Sequence, residues 1–374
     1  MDDKVLIGPP ELSLVIPTYN ERSNIRPLTE AVAKALAGVH WEIIFVDDDS
    51  PDGTCAEIAA VARDGAPIRS IRRVGRRGLA SAVVEGAMSA RGEIIGVMDA
   101  DMQHDERILP QMLSALKNPG VDLVVGSRHA EGGGLGDWNA SRRMMSAFAT
   151  WSSRFLIGNS VTDPMSGFFM TRRSVFDASI YDLTQQGYKI LLDILTSSPR
   201  PLAVVELPYV FRDRHSGESK VDATIVMEYA FLLVDKFTRG WIPPRFVLFG
   251  SVGALGLLVH LASLQLLKKF GLSFLLAQGG STLVAMSFNY VLNNSITYRS
   301  DRLKGARFVV GYLLFCLVCS LGAVANISVA DVTLARLGSW PIAGAAGALM
   351  SAVFNFGVAS RFVWGRRHRP SARG

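Results

Sequence analysis

The last third of the chain contains four apolar runs that are each long enough to cross a lipid bilayer. They cover residues 246–267, 273–292, 308–330 and 341–363, close to the ~20 residues that a transmembrane helix needs. Between positions 246 and 364 the only acidic residues are Asp301 and Asp331, whereas residues 1–240 carry most of the acidic groups. This division predicts an N-terminal domain over residues 1–240 and an all-α, four-helix transmembrane domain over residues 241–374.

Basic residues lie mainly on one side of these runs. They precede the first run (Lys236, Arg239, Arg245), follow the second (Arg299, Arg302, Lys304, Arg307) and follow the fourth (Arg366, Arg367, Arg369), whereas the other side has only Lys268, Lys269 and Arg336. The positive-inside rule therefore places both termini and the N-terminal domain in the cytoplasm, and no signal peptide is expected. Because the basic residues behind the +6 net charge flank apolar segments, they indicate lipid headgroups and phosphates as partners, and not nucleic acid.

Two stretches outside the four runs mix basic residues with large apolar ones. They cover about residues 141–157, which include Arg142 and Trp151, and about residues 223–239, which include Phe231 and Lys236. The pattern fits an amphipathic helix of a soluble core and equally a helix that lies on a bilayer. Their nearness to the apolar runs favours interfacial helices.

The apolar region also contains an internal repeat. Ser287-Phe288-Asn289-Tyr290, followed by Thr297-Tyr298-Arg299, corresponds to Phe354-Asn355-Phe356, followed by Arg361-Phe362-Val363-Trp364. The repeat predicts two helical hairpins of common origin. Asn289 and Asn355 are polar residues within apolar helices, and we interpret them as groups that pair helices.

The N-terminal domain alternates short apolar runs with helical patterns. Strands are predicted at residues 12–17, 41–46, 68–72, 94–98 and 121–126, with helices over residues 24–37, after Thr54 and over residues 78–90. This βαβ repetition predicts an α/β, Rossmann-like domain with a mostly parallel sheet, in which ligands gather at the carboxyl ends of the strands.

Acidic residues stand at the ends of two of these strands. Asp48 follows one strand, and Asp99-Ala100-Asp101 with Gln103 follow another. Two carboxylates beyond a buried strand can hold a divalent metal against a diphosphate, so we predict Asp101 as the first metal ligand, with Asp99 and Gln103 completing the site. Acidic turns and helix caps produce similar patterns, but they do not explain why these sites share one sheet edge.

Other polar segments fit a nucleotide sugar. Tyr19 offers a ring that can stack on a base, Glu21 a carboxylate for ribose hydroxyls, and Asp48 an acceptor for a base N–H. The Gly- and Ser-containing segment with Arg214 and Lys220 could close over a diphosphate. A charged surface loop is the alternative interpretation of that segment.

Together these motifs resemble glycosyltransferase family 2, in particular its dolichol-phosphate mannose synthase and polyprenyl-phosphate glycosyltransferase branch. The resemblance spans about residues 10–240 and rests on residues 17–21, residues 46–54, Asp99-Ala100-Asp101-x-Gln103-His104, Gly126-Ser127-Arg128, residues 163–168 and residues 214–220. Residues 246–364 resemble the GtrA-like membrane domain. Asp163-Pro164-Met165-Ser166 departs on the acceptor side from relatives that carry a Thr before Ser-Gly-Phe.

The resemblance implies a GT-A fold, Mg²⁺ or Mn²⁺ as cofactor, and the functional residues. Donor contacts are implied at Pro17, Tyr19, Glu21, Val46, Asp48, Asp99, Ala100, Asp101, Gln103, Arg214 and Lys220. The acceptor phosphate is implied near Arg128, Arg142 and Ser146. Of these, Asp99, Asp101, Arg128, Arg214 and Lys220 are expected to matter most for catalysis.

The expected reaction is inverting, metal-dependent transfer of a hexose to dolichyl or polyprenyl phosphate at the cytoplasmic membrane face. Mannose from GDP-mannose is the favoured donor sugar, and UDP-glucose is the alternative donor. Because a lipid monophosphate is already anionic near neutral pH, we expect no general base, only a nucleophile held in line. A lipid-linked sugar flippase or a membrane scaffold is the alternative from a different class, and the oligomeric state is open.

Overall fold

The computed structural model describes residues 8–134, 140–158, 161–184, 189–212, 223–238 and 241–365. The chain divides into two compact units, Met1–Arg239 and Gly240–Gly374.

The first unit is built on a seven-stranded sheet. Its strands are β1 (Leu12–Thr18), β2 (Trp41–Asp47), β3 (Ile68–Arg72), β4 (Ile94–Val97), β5 (Leu123–Ser127), β6 (Phe169–Arg172) and β7 (Val204–Pro208), in the spatial order β3-β2-β1-β4-β6-β5-β7. All neighbouring strands are parallel except that β6 runs antiparallel to both β4 and β5. The predicted α/β domain with a mostly parallel sheet is confirmed.

Helices cover both faces of this sheet. They are α1 (Arg22–Ala35), α2 (Thr54–Arg63), α3 (Leu79–Ser89), α4 (Leu109–Leu116), α5 (Ala140–Ile157), α6 (Arg173–Ser179), α7 (Ile190–Ser197) and α8 (Ala223–Thr238). Successive side chains of a strand point to opposite faces. Accordingly, Leu14 and Ile16 of β1 belong to the core that contains α1, whereas Val15 between them belongs to the core that contains α3.

The register of the neighbouring strands β2, β1 and β4 brings their carboxyl ends to one edge of the sheet. Thr18 at the end of β1 is paired with Asp47 at the end of β2, and Val97 at the end of β4 is paired with Val15 of β1. Residues that directly follow β1, β2 and β4 therefore emerge side by side. This edge is the place where the sequence predicts ligand binding.

A buried carboxylate at the opposite end of the sheet stabilises the first unit. Glu42 accepts hydrogen bonds from Ser13 Oγ at 2.7 Å, Arg91 N at 2.9 Å and Arg69 Nε at 3.2 Å. Burial alone would raise the pKa of Glu42, but the hydrogen bonds from Ser13, Arg91 and Arg69 lower it below its ordinary value. The stability from this carboxylate is therefore present above the unfolded-state pKa of about 4.3 and is lost as the pH falls below it.

Glu42→Gln is expected to lower the free energy of unfolding at pH 7 by about 1.5–3 kcal/mol, because charge-assisted hydrogen bonds are lost in a buried place. The variant should also lose less stability than the wild type between pH 5 and 3, as followed by denaturant unfolding across pH. Glu11→Gln is the control, since Glu11 pairs with Lys117 at a more exposed site and such pairs contribute about 0–1 kcal/mol. Equal effects of the two substitutions would contradict this assignment.

The second unit consists of helices α9 (Pro244–Lys269), α10 (Phe274–Leu292), α11 (Ala306–Leu337) and α12 (Trp340–Phe362). Among the described residues, three segments are long and apolar enough to cross a membrane: Arg245–Lys269, Ala306–Leu337 and Ile342–Phe362. The predicted run at residues 273–292 does form a helix, α10, but it falls outside this set. The polar residues Gln278 and Asn289 within α10 reduce its apolar character, so the predicted count of four spans is approximate.

Helices α9 and α10 form one hairpin of this unit, and α11 and α12 form the other. The two hairpins contact each other through equivalent residues, as expected for an internal repeat. The rings of Tyr298 and Trp364, which occupy equivalent positions in the repeat, stack at 4.2 Å with 6° between their planes. Tyr298 Oη and Ser360 Oγ are hydrogen-bonded at 2.5 Å, and Trp364 Nε1 donates to Asn294 Oδ1 at 3.1 Å. Because Asn294 and Ser360 are also equivalent positions, each hairpin gives the other the same contact, as in a two-fold interface.

The repeated asparagines lie against glycines of the neighbouring helix. A Cβ atom at Gly256 would collide with the Asn289 side chain, and one at Gly322 would collide with Asn355. The two glycines precede their asparagines by the same interval. These contacts support the interpretation of Asn289 and Asn355 as helix-pairing residues, since small residues let helices approach closely.

Gly322→Ala is expected to lower the thermal unfolding midpoint of the detergent-solubilised protein, because overpacking costs about 1–3 kcal/mol. Gly357→Ala in α12 is the matched control, since a Cβ there meets nothing within 4 Å. If both substitutions leave the midpoint unchanged, the close approach of α11 and α12 is wrong.

Candidate active site

The acidic segment after β4 folds back on itself. Asp99 N donates to His104 Nδ1 at 3.1 Å, and Gln103 N donates to Asp101 Oδ1 at 3.2 Å. Asp101 is only 6% exposed, so this carboxylate is buried next to the sheet edge. Asp99, Asp101 and Gln103 therefore lie in one short hydrogen-bonded loop just after β4.

Three residues at this edge adopt a left-handed backbone that is unusual without glycine. Among the described residues, the only non-glycine residues with positive φ are Asn20 (61°), Asp49 (61°) and Met102 (66°). They follow β1, β2 and β4 within a few residues, at the same sheet edge. Such backbone strain clusters at functional sites. The sequence predicts ligand binding at this edge of the sheet but does not predict the left-handed backbone there. Asn and Asp tolerate a positive φ better than Met does.

The buried His104 ring lies next to the Asp99 carboxylate. Its ring stacks on Phe168 at 5.0 Å between centroids, and its Nε2 lies 3.7 Å from Asp99 Oδ2. Burial lowers the pKa of His104 to about 4, so the imidazole is neutral near pH 7. Since Nδ1 accepts from the Asp99 backbone, Nε2 carries the proton and faces the carboxylate. The sequence indicates His104 only as part of the acidic motif, and no spacing signals its contact with Phe168.

The donor set of this loop fits a divalent cation that is shared with a substrate. Among the described residues, no group of three or more His, Cys, Asp or Glu side chains could hold a metal ion. A cation at this loop would therefore have two carboxylates at most from the described part of the chain, those of Asp99 and Asp101. Gln103 Nε2 donates to Arg212 O at 3.0 Å, which leaves the amide oxygen as a further ligand. Mg²⁺ typically binds one or two carboxylates, with waters and phosphate oxygens in the other positions.

Space in front of Asp99 is kept open by Gly167. A Cβ atom at Gly167 would lie 3.2 Å from Asp99 Oδ2, so a larger residue would press on this carboxylate. Ala100, another predicted donor contact, is buried between the two aspartates.

The predicted base-binding residues lie at the ends of β1 and β2. Tyr19 is 38% exposed, and the Arg77 guanidinium lies over its ring at 4.2 Å. Asp48 accepts from Gly78 N at 2.8 Å and pairs with Arg73 Nη1 at 2.9 Å. Burial raises the pKa of Asp48 above its ordinary value, although hydrogen bonding and Arg73 oppose this shift.

The other predicted donor contacts of β1 and β2 are close by. Pro17 and Val46 are paired positions in the two strands, and Glu21 Oε2 accepts from Asn24 Nδ2 at 2.6 Å at the start of α1. The structure therefore brings together Pro17, Tyr19, Glu21, Val46 and Asp48 at adjacent strand ends.

Arg128, predicted to bind the acceptor phosphate, forms a buried bidentate pair with Asp163. Arg128 Nε and Nη2 lie 2.7 and 2.8 Å from the two Asp163 oxygens, and Arg128 N also donates to Asp163 at 3.1 Å. Burial would raise the pKa of Asp163, but the Arg128 guanidinium lowers it below its ordinary value. Two of the three guanidinium nitrogens are thus committed to Asp163, a partner that sequence spacing could not identify.

The remaining predicted residues are only partly described. Ser146 lies on α5 and is half-buried, whereas the Arg142 side chain and all of Arg214 and Lys220 lie outside the described residues. Arg212, the last described residue before the segment with Arg214, donates its N–H to Gln103 O at 3.0 Å. Its guanidinium pairs with Glu106 at 2.8 Å, so the chain reaches that segment from beside the acidic loop.

Helices α5 and α8, the two predicted amphipathic stretches, pack against each other. Tyr229 Oη lies 2.7 Å from Ser152 Oγ and donates to Ala149 O at 2.7 Å. Apolar side chains of α5 remain exposed, with Trp151 at 54% and Phe155 at 64%. An exposed apolar face of this kind fits a membrane surface or a partner.

Comparison with known proteins matches both units. The profile of glycosyl transferase family 2 matches residues 13–179, and that of the GtrA/DPMS transmembrane domain matches residues 248–364. A dolichol-phosphate mannosyltransferase from Pyrococcus furiosus is 34% identical over 358 residues, which cover 95% of this chain and 98% of that protein. One from Mycosarcoma maydis is 37% identical over 249 residues, covering 64% of this chain and 84% of that protein.

Solved structures are more distant. A crystal structure of glucosyl-3-phosphoglycerate synthase from Mycobacterium tuberculosis, in complex with Mn²⁺, UDP and glucosyl-3-phosphoglycerate, is 21% identical with a TM-score of 0.43. It covers 63% of this chain and 81% of its own.

Proposed function

This chain belongs to glycosyltransferase family 2, and from that membership we propose that it transfers mannose from GDP-mannose to dolichyl or another polyprenyl phosphate. It is a glycosyltransferase with membrane-spanning helices. The observation that supports the proposal most is the shared edge of β2, β1 and β4, where Asp48, Tyr19 and Asp99 follow neighbouring strands. The long match to a dolichol-phosphate mannosyltransferase supports the sugar and the acceptor.

On the donor side, the residues at the ends of β1 and β2 bind the nucleoside. Tyr19 contacts the base, Glu21 the ribose, and Asp48 accepts a base N–H, with Pro17 and Val46 forming the floor. Ala100 and the acidic loop then lie towards the diphosphate, and Arg214 and Lys220 close over it.

Mg²⁺ or Mn²⁺ would be held by Asp99, Asp101 and Gln103. When bound, such a cation offsets the negative charge that develops on the leaving diphosphate. His104 fixes the backbone of Asp99, whose N–H donates to His104 Nδ1 at 3.1 Å, and Gly167 leaves space in front of the Asp99 carboxylate.

On the acceptor side, Arg128, Arg142 and Ser146 bind the lipid phosphate. The bidentate pair with Asp163 fixes the guanidinium plane of Arg128, and orientation is what an already anionic nucleophile requires. A phosphate oxygen attacks the anomeric carbon opposite the leaving diphosphate, so the new sugar–phosphate bond has the inverted configuration. We place this reaction at the cytoplasmic membrane face, where α5 and α8 lie on the bilayer.

Parallel assays with two donors test the proposal. Purified full-length protein with Mn²⁺ and polyprenyl phosphate is incubated with GDP-mannose or with UDP-glucose, and lipid-linked sugar is measured. We expect product with GDP-mannose. Product with UDP-glucose alone would keep the reaction and overturn the donor, and product with neither would overturn the transferase assignment.

A lipid-linked sugar flippase or a membrane scaffold remains the alternative from a different class. Such a protein would bind nucleotide without chemistry and would tolerate loss of Asp101. The buried position of Asp101 at the sheet edge favours the transferase, because a scaffold gains nothing from burying a carboxylate there.

A further inference from the structure

Four arginines lie between the last residue of β3, Arg72, and the start of α3, and one of them differs from the rest. Arg72 pairs with Asp49, Arg73 with Asp48 and Glu85, and Arg76 with Glu85. Within the described part of the chain, Arg77 makes no ion pair. Its guanidinium lies over the Tyr19 ring at 4.2 Å, and its Nη2 donates to Tyr19 Oη at 2.8 Å.

The backbone next to Arg77 is held firmly although the side chain is exposed. Gly78 N donates to Asp48 Oδ2 at 2.8 Å, and Gly78 O accepts from Arg73 Nη1 at 3.0 Å. Gly78 has φ +136°, a conformation that suits glycine. Arg73 is itself buried, so it anchors the segment beside Asp48. Arg77 is thus presented at the base site by its neighbours and adds little to the core.

The resulting juxtaposition has the chemistry of a purine reader. Tyr19 provides a stacking ring, Asp48 an acceptor and Arg77 a planar fork of donors. Guanine presents two neighbouring acceptors, O6 and N7, that suit an arginine fork, together with N–H donors that suit a carboxylate. A uracil ring has a carbonyl oxygen in this region but no N7, so it cannot accept both hydrogen bonds.

We propose that Arg77 is a specificity-determining residue that selects a guanine nucleotide over a uracil nucleotide. This inference rests on the nucleotide-sugar part of the proposed function and resolves the donor base that Tyr19 and Asp48 leave open. On binding, the Arg77 guanidinium leaves the Tyr19 hydroxyl and donates to the base, which takes the stacking position on the ring.

Calorimetric titration of the detergent-solubilised full-length protein with GDP and with UDP tests this role. The wild type should bind GDP more tightly than UDP. Arg77→Lys keeps the charge but loses the fork, and it should weaken GDP binding by about 10-fold while changing UDP binding by less than about twofold. Arg76→Lys is the matched control on the same segment and should change neither.

Each other outcome overturns the inference. Equal weakening of GDP and UDP would mean that Arg77 only contacts phosphate or ribose, and unchanged binding of both would mean that it does not contact the nucleotide. Tighter binding of UDP by the wild type would exclude a guanine reader. Because no sugar or lipid is present, a GDP preference that depends on Arg77 supports the inference even if mannose transfer fails.

Discussion

Asp101→Asn is expected to lower kcat for sugar transfer by about 10²–10³-fold, because a preorganised charge next to the leaving diphosphate is lost. The amide is isosteric with the carboxylate and still accepts the Gln103 N–H, so the variant should fold. Activity should be followed over a range of Mg²⁺ and Mn²⁺ concentrations, since weaker cation binding would also raise the concentration needed for half-maximal rate.

Asp64→Asn is the control for this experiment. Asp64 is an exposed partner of Arg26 at 2.9 Å, far in sequence from the acidic loop, and its loss should leave kcat unchanged. Asp101→Asn with more than about a third of wild-type activity would contradict the role assigned to Asp101.

Asp163→Ala is expected to produce the largest loss of stability. It leaves the Arg128 guanidinium buried without its bidentate partner. Breaking a buried ion pair in this way lowers the free energy of unfolding by about 3–5 kcal/mol. Denaturant unfolding of the full chain in detergent measures the effect. The double variant Asp163→Ala with Arg128→Met should recover most of the stability, because it removes the uncompensated charge.

A double variant as unstable as Asp163→Ala alone would show that Asp163 acts through its backbone surroundings and not through Arg128. Recovery of stability in the double variant is expected only if the cost of Asp163→Ala comes from the unpaired Arg128 guanidinium. The same double variant should remain inactive, since Arg128 is assigned to the acceptor phosphate.

Much of the first unit was predictable because its signal is local. Strands β1, β2, β4 and β5 are short apolar runs, whereas β3 has the mixed sequence Ile-Arg-Ser-Ile-Arg. The polar residues that follow β1, β2 and β4 mark the functional edge directly. Strands β6 and β7 were not predicted. The case of β6 shows why. This strand has only four residues and runs antiparallel between β4 and β5, so neither its periodicity nor its place in the chain indicates its partners.

Contacts in the site between residues far apart in the chain could not be predicted from the sequence either. Arg128 and Asp163 lie in separate motifs, and only the folded chain brings the two side chains within 2.7 Å. The stacking of Arg77 on Tyr19 likewise joins segments that no spacing relates. In the membrane unit, the repeat was visible, but the polar content of α10 separates it from the three apolar spans.

The most direct test of metal-dependent mannose transfer to a lipid phosphate is organic extraction of labelled product from the purified protein given GDP-[¹⁴C]mannose, polyprenyl phosphate and Mn²⁺. We expect labelled lipid that disappears when EDTA is added, when the lipid phosphate is omitted, or when Asp101 is replaced by Asn. Labelled lipid that persists in EDTA or with Asp101→Asn, or protein that binds GDP-mannose but never labels the lipid, would contradict metal-dependent mannose transfer.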